Sequence, residues 1–154
     1  MKKLMAMAAL ALLLASCGHA TKAVRSYHAR DYQWHKNTPW LKLHWNYKHP
    51  GKGTIVAEGY VEPFNPRYGL HGVNLELVGL DEGGNVVNEA AGRPEDSYIA
   101  SPYDTSPFRI TMRLNGREKG FTIKGSYYHY VLGEMPDFDS RNIDYIPLVA
   151  NEPY

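Results

Sequence analysis

The sequence predicts an all-β domain, a two-layer antiparallel sandwich of about seven strands. Three observations predict it. Apolar and polar residues alternate with a period of two along most of the body. Turns rich in Gly and Pro recur at intervals of about 8–12 residues. Past the first sixteen residues, no segment carries an apolar stripe at the 3.6-residue spacing of a helix.

The strands follow in order. In residues 41–47, Leu41, Leu43, Trp45 and Tyr47 alternate with Lys42, His44 and Asn46, the pattern of a half-buried strand. A Pro and two Gly at 50, 51 and 53 then turn the chain. Residues 54–62 put Ile55, Ala57, Gly59 and Val61 on one face and Glu58, Tyr60 and Glu62 on the other. Residues 63–72, with two Pro and two Gly, read as a loop. Residues 73–81 direct Val73, Leu75 and Leu77 inward and Asn74 and Glu76 outward. Glu82-Gly83-Gly84-Asn85 is a hairpin turn, because glycine reaches positive φ without strain. Val86 restarts a short strand, and residues 98–100 form a brief edge strand. Phe108, Ile110, Met112 and Leu114 alternate with Arg109, Thr111 and Arg113, and Asn115-Gly116 turns into a partner strand over 120–131. Residues 143–149 are apolar but broken by Pro147, which suits an edge strand or a docked tail.

Before this body stands a different kind of segment. Met1-Lys2-Lys3 is a short positive start, and eleven apolar residues, 4–14, follow. That run is too short to span a bilayer, which takes about 20 residues, and it matches the core of an export signal. It ends in Leu14-Ala15-Ser16-Cys17. This resembles the lipobox of bacterial lipoproteins. The resemblance implies attachment of diacylglycerol to Cys17, cleavage before it and acylation of the new amino terminus. Two or three acyl chains hold a protein firmly on a membrane, since each buried CH₂ adds about 0.8 kcal/mol. Gly18, where an Asp would favour inner-membrane retention in such lipoproteins, implies the outer membrane. The expected organisation is a signal peptide over 1–16, a lipidated Cys and tether over 17–38, and the sandwich with its C-terminal tail over 39–154. An irregular first strand is the alternative for the later part of the tether.

Composition narrows the function. The 154 residues are 44% hydrophobic and 21% charged, which suits one globular domain and excludes a disordered chain. Loss of Lys2 and Lys3 with the leader takes the basic residues from 17 to 15 against 16 acidic ones. A chain so near neutrality gives no reason to expect nucleic acid as a partner, because phosphate binding needs clustered Lys and Arg. Cys17 is the only cysteine, so no intramolecular disulfide supports the domain.

The central stretch carries a second resemblance. Gly59-Tyr60-Val61-Glu62, Val73 to Leu77, Leu80-Asp81 with Gly84-Asn85-Val86-Val87, Pro102, and Phe108-Arg109-Ile110 together resemble the FxLYD-type immunoglobulin-like domains of bacterial envelope proteins. The chain departs from that family at its signature, which stands here as Leu77-Val78-Gly79-Leu80-Asp81. The resemblance implies an immunoglobulin-like sandwich and a non-enzymatic role.

Candidate chemistry is sparse. His19, His28, His35, His44, His49, His71 and His129 show neither HxxxH nor HExxH spacing, so solvated surface histidines and no metal are expected. Asp137, Asp139, Asn142 and Asp144 cluster without the spacing or central Gly of an EF-hand loop. There is no G-x-S-x-G, and Cys17 is consumed by lipid, so no catalytic residue and no cofactor are expected. Aromatics are the one excess, with 12 Tyr and 3 Trp. Tyr127, Tyr128 and Tyr130 crowd one strand, where both faces receive rings. Strand propensity alone also favours them, but Tyr is enriched at recognition surfaces too. These three, with Phe64 and Tyr68 in the 63–68 loop, are the candidate binding residues. The expected function is a lipid-anchored envelope lipoprotein, on the membrane through Cys17, whose sandwich binds an envelope protein or glycan without catalysis. The alternative is a periplasmic metal or small-ligand binder using the surface His and acidic residues.

Overall fold

The structure is a computed structural model, and it describes residues 27–100, 104–132, 143–146 and 152–153. Among the described residues, ten strands form two antiparallel sheets. They are β1 (Trp34–Asn37), β2 (Leu41–Gly51), β3 (Thr54–Pro63), β4 (Tyr68–Leu80), β5 (Val86–Gly92), β6 (Tyr98–Ile99), β7 (Ser106–Arg113), β8 (Gly120–Val131), β9 (Ile143–Ile146) and β10 (Glu152–Pro153). Sheet A runs β10-β1-β2-β3-β7, and sheet B runs β5-β4-β8-β9 with β6 also paired to β4. Read without the short β1, β6 and β10, the orders β2-β3-β7 and β5-β4-β8-β9 are those of strands A-B-E and C′-C-F-G of an immunoglobulin-type sandwich.

The period-two pattern explains the core. Leu41, Leu43 and Trp45 of β2, Ile55, Ala57 and Val61 of β3, and Phe108, Ile110 and Met112 of β7 line the inner face of sheet A. Leu70, Val73, Leu75 and Leu77 of β4, Ile123 and Tyr127 of β8, and Ile146 of β9 answer from sheet B. Strand β7 shows the alternation most plainly, because every second residue from Ser106 to Met112 is buried.

Two boundaries differ from the sequence expectation. A tether was expected to reach residue 38, with an irregular first strand as the alternative for its later part; Trp34–Asn37 forms β1 and pairs with β2, from Trp34 opposite Trp45 to Asn37 opposite Lys42. The Trp34 ring packs on the core beside Tyr47, 6.1 Å away, so burying it draws this segment into the sheet. The loop expected over 63–72 shrinks, because β4 begins at Tyr68. The cause is a bulge. The pairing of β4 with β8 shifts register between His71 and Asn74, and Gly72 sits there at φ 58, a conformation that side chains with a Cβ resist. The extra residue inverts the alternation. Leu70 therefore points into the same core as Val73, Leu75 and Leu77, although its number has the opposite parity. A period-two reading stops at such a point, and a loop is the natural misreading.

Candidate functional site

The two sheets turn different outer faces away from the core. On sheet A the outer residues are mostly charged and paired. Lys42 lies 3.3 Å from Glu62, Arg109 lies 3.0 Å from Glu58, and Lys48 also pairs with Glu58. At the centre of this face, His44 stacks on Tyr60 with ring centroids 4.6 Å apart. Tyr27 and Tyr32 cover Tyr60 in turn, each centroid 5.1 Å from it. Asn46 holds that covering segment, accepting from the Gln33 backbone N–H at 2.6 Å and donating to the Asp31 carbonyl at 2.9 Å. His44 and Tyr60 are consequently 4% and 2% exposed. This corrects the expectation of a solvated His44: His44 and Tyr60 do point outward from the sheet, as the alternation predicts for Tyr60, but Tyr27 and Tyr32, upstream of β1, help bury them. The His44 side chain, working against burial and helped by Lys42, holds the Glu62 carboxyl below its ordinary range.

The outer face of sheet B is buried at Val78, Thr122 and Tyr130, which are 0%, 2% and 8% exposed, and open at Tyr98 and Tyr145. Tyr128 and Tyr130 project from β8 opposite His71 and Gly69 of β4, as their register dictates. The Tyr130 ring lies flat on Gly69, where any Cβ would run into its hydroxyl end. Tyr98 of β6 stacks on Tyr130 at 4.9 Å and meets His71 edge-on at 6.0 Å. Tyr128 lies 5.9 Å from His71. Burial, and then the neighbouring Tyr98 hydroxyl, raise the Tyr130 pKa above the ordinary phenol value. On the far side, Tyr145 of β9 stands beside Ser126 and is 69% exposed. Beside Tyr145 lies a depression of about 440 Å³, lined by Asn74, Glu76, Lys124, Ser126, Tyr145 and Ile146. Lys124 is pinned between Glu76 at 3.0 Å and Glu89 at 2.5 Å. Those carboxylates, Glu89 first, raise the Lys124 pKa and keep it charged.

A third cluster closes one end of the sandwich. Tyr127 does not join the outer face: it is 1% exposed, inside the core, and its hydroxyl lies 2.6 Å from Thr38 Oγ1. Burial and the nearby Asp144 outweigh the Thr38 hydrogen bond and push the Tyr127 phenol up to about 12. His129 Nδ1 lies 2.6 Å from Asp144 Oδ2, tying β8 to the edge strand β9. The Trp40 ring stacks over His129 at 4.3 Å and meets Tyr68 edge-on at 4.4 Å. Phe64 lies close by in sequence and is bound through its backbone N–H to the Trp40 carbonyl. Its ring is 46% exposed beneath the Lys42 ammonium.

The structure thus divides the candidate residues among three places. Tyr128 and Tyr130 share the outer face of sheet B, Tyr127 faces the core, and Phe64 and Tyr68 belong to the sandwich end. Sequence reading missed Tyr98 and Tyr145 as surface aromatics. Tyr98 lies in a two-residue strand and Tyr145 in a four-residue one, and neither is long enough to carry a period. Sequence reading also missed that Asp144 partners His129 rather than lying in a solvated acidic loop. Cys17, His19, Asp137, Asp139 and Asn142 lie outside the described residues. Among the described residues, no three His, Cys, Asp or Glu are grouped to hold a metal ion, and no helix is long and apolar enough to cross a membrane. No protein-family model, curated protein or solved structure matches the chain.

Proposed function

We propose that this chain is a lipid-anchored component of the bacterial cell envelope, carried on the outer membrane through Cys17, whose sandwich is a non-catalytic binding domain. The address rests on the lipobox resemblance at Leu14-Ala15-Ser16-Cys17. The binding role rests on one observation above others. Exposed Tyr145 borders a polar depression on sheet B and Tyr98 stands exposed further along the same face, whereas Tyr27 and Tyr32 cover Tyr60 on the outer face of sheet A. Exposed aromatic side chains on a rigid scaffold lose little entropy on binding, which favours recognition. The immunoglobulin-type strand order agrees with the resemblance to FxLYD-type domains, which are not enzymes as a class. The His–carboxylate pairs His44–Glu62 and His129–Asp144 each join two neighbouring strands, an arrangement that suits structural clasps.

Two measurements test the reading. Cys17→Ala in the native bacterium should leave an unprocessed precursor or a protein released from the membrane fraction. If the variant still fractionates with membranes at its mature size, the anchor lies elsewhere. A photo-crosslinking residue placed at Tyr98 or Tyr145 should give a reproducible adduct in living cells. One placed at Arg109, on the opposite face, should not.

A further inference from the structure

We propose that Asn115 is a site of spontaneous deamidation that Glu118 holds closed, and that its conversion to aspartate loosens the outer edge of β5.

Asn115-Gly116 is the only Asn-Gly pair in the chain. Asparagine is a chemically labile side chain, and a following glycine exposes it most, because no Cβ hinders the approach of the glycine nitrogen. In the reaction, the Gly116 nitrogen attacks Asn115 Cγ and gives its proton to water. The Cγ–Nδ2 bond breaks, and Nδ2 takes up a proton from water and leaves as ammonia. A succinimide ring remains. Water then opens either C–N bond of the ring, giving aspartate or isoaspartate. The sum is asparagine and water to aspartate and ammonia, with no oxidant or reductant. The turn between β7 and β8 invites this chemistry. Asn115 and Gly116 are both exposed, and Gly116 stands at φ 85, where a residue with a Cβ would be strained.

Hydrogen bonds hold the reaction back. Asn115 Oδ1 accepts from the Arg117 N–H at 2.9 Å, and Nδ2 donates to the Val87 carbonyl at 2.9 Å. The side chain must release both partners to turn Cγ towards Gly116. The attacking nitrogen is engaged as well. The Gly116 N–H donates to Glu118 Oε2 and the Asn115 N–H to Glu118 Oε1, each at 2.9 Å. Asn88 Nδ2 steadies the same carboxylate at 2.6 Å. Desolvation opposes the charge on Glu118, but the hydrogen bonds from Asn115, Asn88 and Gly116 prevail and hold its carboxyl down to about 2. So weak a base does not draw the proton off Gly116. A nitrogen that loses its proton there becomes an anion against an anion, which like charge disfavours.

The consequence reaches β5, an edge strand of sheet B. Asn115 ties it to the turn through the Val87 carbonyl, and Asn88 ties it through the Arg113 carbonyl at 2.7 Å. An aspartate at 115 has no N–H for Val87 and adds a negative charge to a turn that already holds the Glu118 carboxylate. A loosened edge strand offers unpaired backbone groups to other chains.

The test incubates the full chain in mildly alkaline buffer, folded and in urea, and follows Asn115 by peptide mass mapping. The folded wild type should deamidate at least about tenfold more slowly than the unfolded chain, a barrier difference of about 1.4 kcal/mol. Glu118→Ala, checked as folded by circular dichroism, should lose most of that protection. Glu118→Gln, which keeps one acceptor oxygen, should lose part of it, and it decides the point if Glu118→Ala does not fold. Equal wild-type rates in the folded and unfolded states overturn the closed site. A folded Glu118 variant that deamidates no faster than the wild type, or more slowly, overturns the role of Glu118. Asn115→Asp should lose hydrogen-exchange protection over 86–92 and keep it over 54–62. Full protection retained over 86–92 overturns the link to β5.

Discussion

The outer faces of the two sheets are built from the same grammar and end in opposite states. Each has a strand pair with alternating polar residues, a charged ladder and an aromatic at its centre. On sheet A, Tyr27 and Tyr32 close over Tyr60 and His44, and the aromatic becomes a small second core. On sheet B, Tyr98 and Tyr145 stay 42% and 69% exposed. The difference teaches that an outward tyrosine has no meaning by itself. What the chain lays over it decides whether it serves stability or recognition.

The comparison can be broken first at Tyr60. Tyr60→Ala should cost about 3 kcal/mol, because it empties a site packed by three rings. Urea unfolding measures it, and a cost below about 1 kcal/mol would mean that the roof over sheet A contributes little.

A smaller effect is expected where the sheets meet. Thr38 precedes β2, Tyr127 lies in β8, and Thr38→Val would strand the Tyr127 hydroxyl in the core. The expected loss is about 2 kcal/mol. Tyr127→Phe added to that variant should recover part of it, since an apolar pair is better than one orphaned hydroxyl. A double-mutant cycle sharpens the comparison by measuring the bond that joins the layers.

Acid should act on the face of sheet A through Glu62. Its pKa in the folded protein is depressed below the ordinary 4.5. The stability it contributes is therefore present above about 4.5 and is lost as pH falls through the folded value. Urea midpoints of the wild type should drop from neutral pH to about pH 3, and Glu62→Gln should show a shallower drop. Equal slopes would show that the ladder on sheet A does not depend on this carboxylate.

The smallest effect on stability is expected at Tyr145. Tyr145→Ala should change the unfolding free energy by no more than about 0.5 kcal/mol, as an exposed surface site. A loss as large as that of Tyr60→Ala would erase the contrast between the faces.

The strands from β2 to β9 were legible almost residue by residue, because a half-buried strand must alternate and each residue carries that information locally. The bulge at Gly72 was not, since it appears only as a register shift against β8. Nor was the packing of Tyr27 and Tyr32 on Tyr60, which joins residues about thirty positions apart. The candidate site was legible in part. Tyr128 and Tyr130 were picked out by their crowding on one strand, while Tyr98 and Tyr145 come from a two-residue and a four-residue strand too short to show a period.

By itself, then, the sequence determined the all-β class, the position of most strands and the side chains that fill the core. The resemblance of Leu14-Ala15-Ser16-Cys17 to a lipobox is likewise a local pattern that needs no fold to be read. Only the tertiary structure decided which outward aromatics are covered, that Tyr127 turns inward to Thr38, and that Tyr145 borders a polar depression. The physical reason is range. Alternation and turn chemistry act between neighbours, whereas burial of an outer face depends on which distant segment crosses it, and in this chain a short stretch ahead of β1 covers Tyr60 on one face while Tyr145 on the other stays exposed.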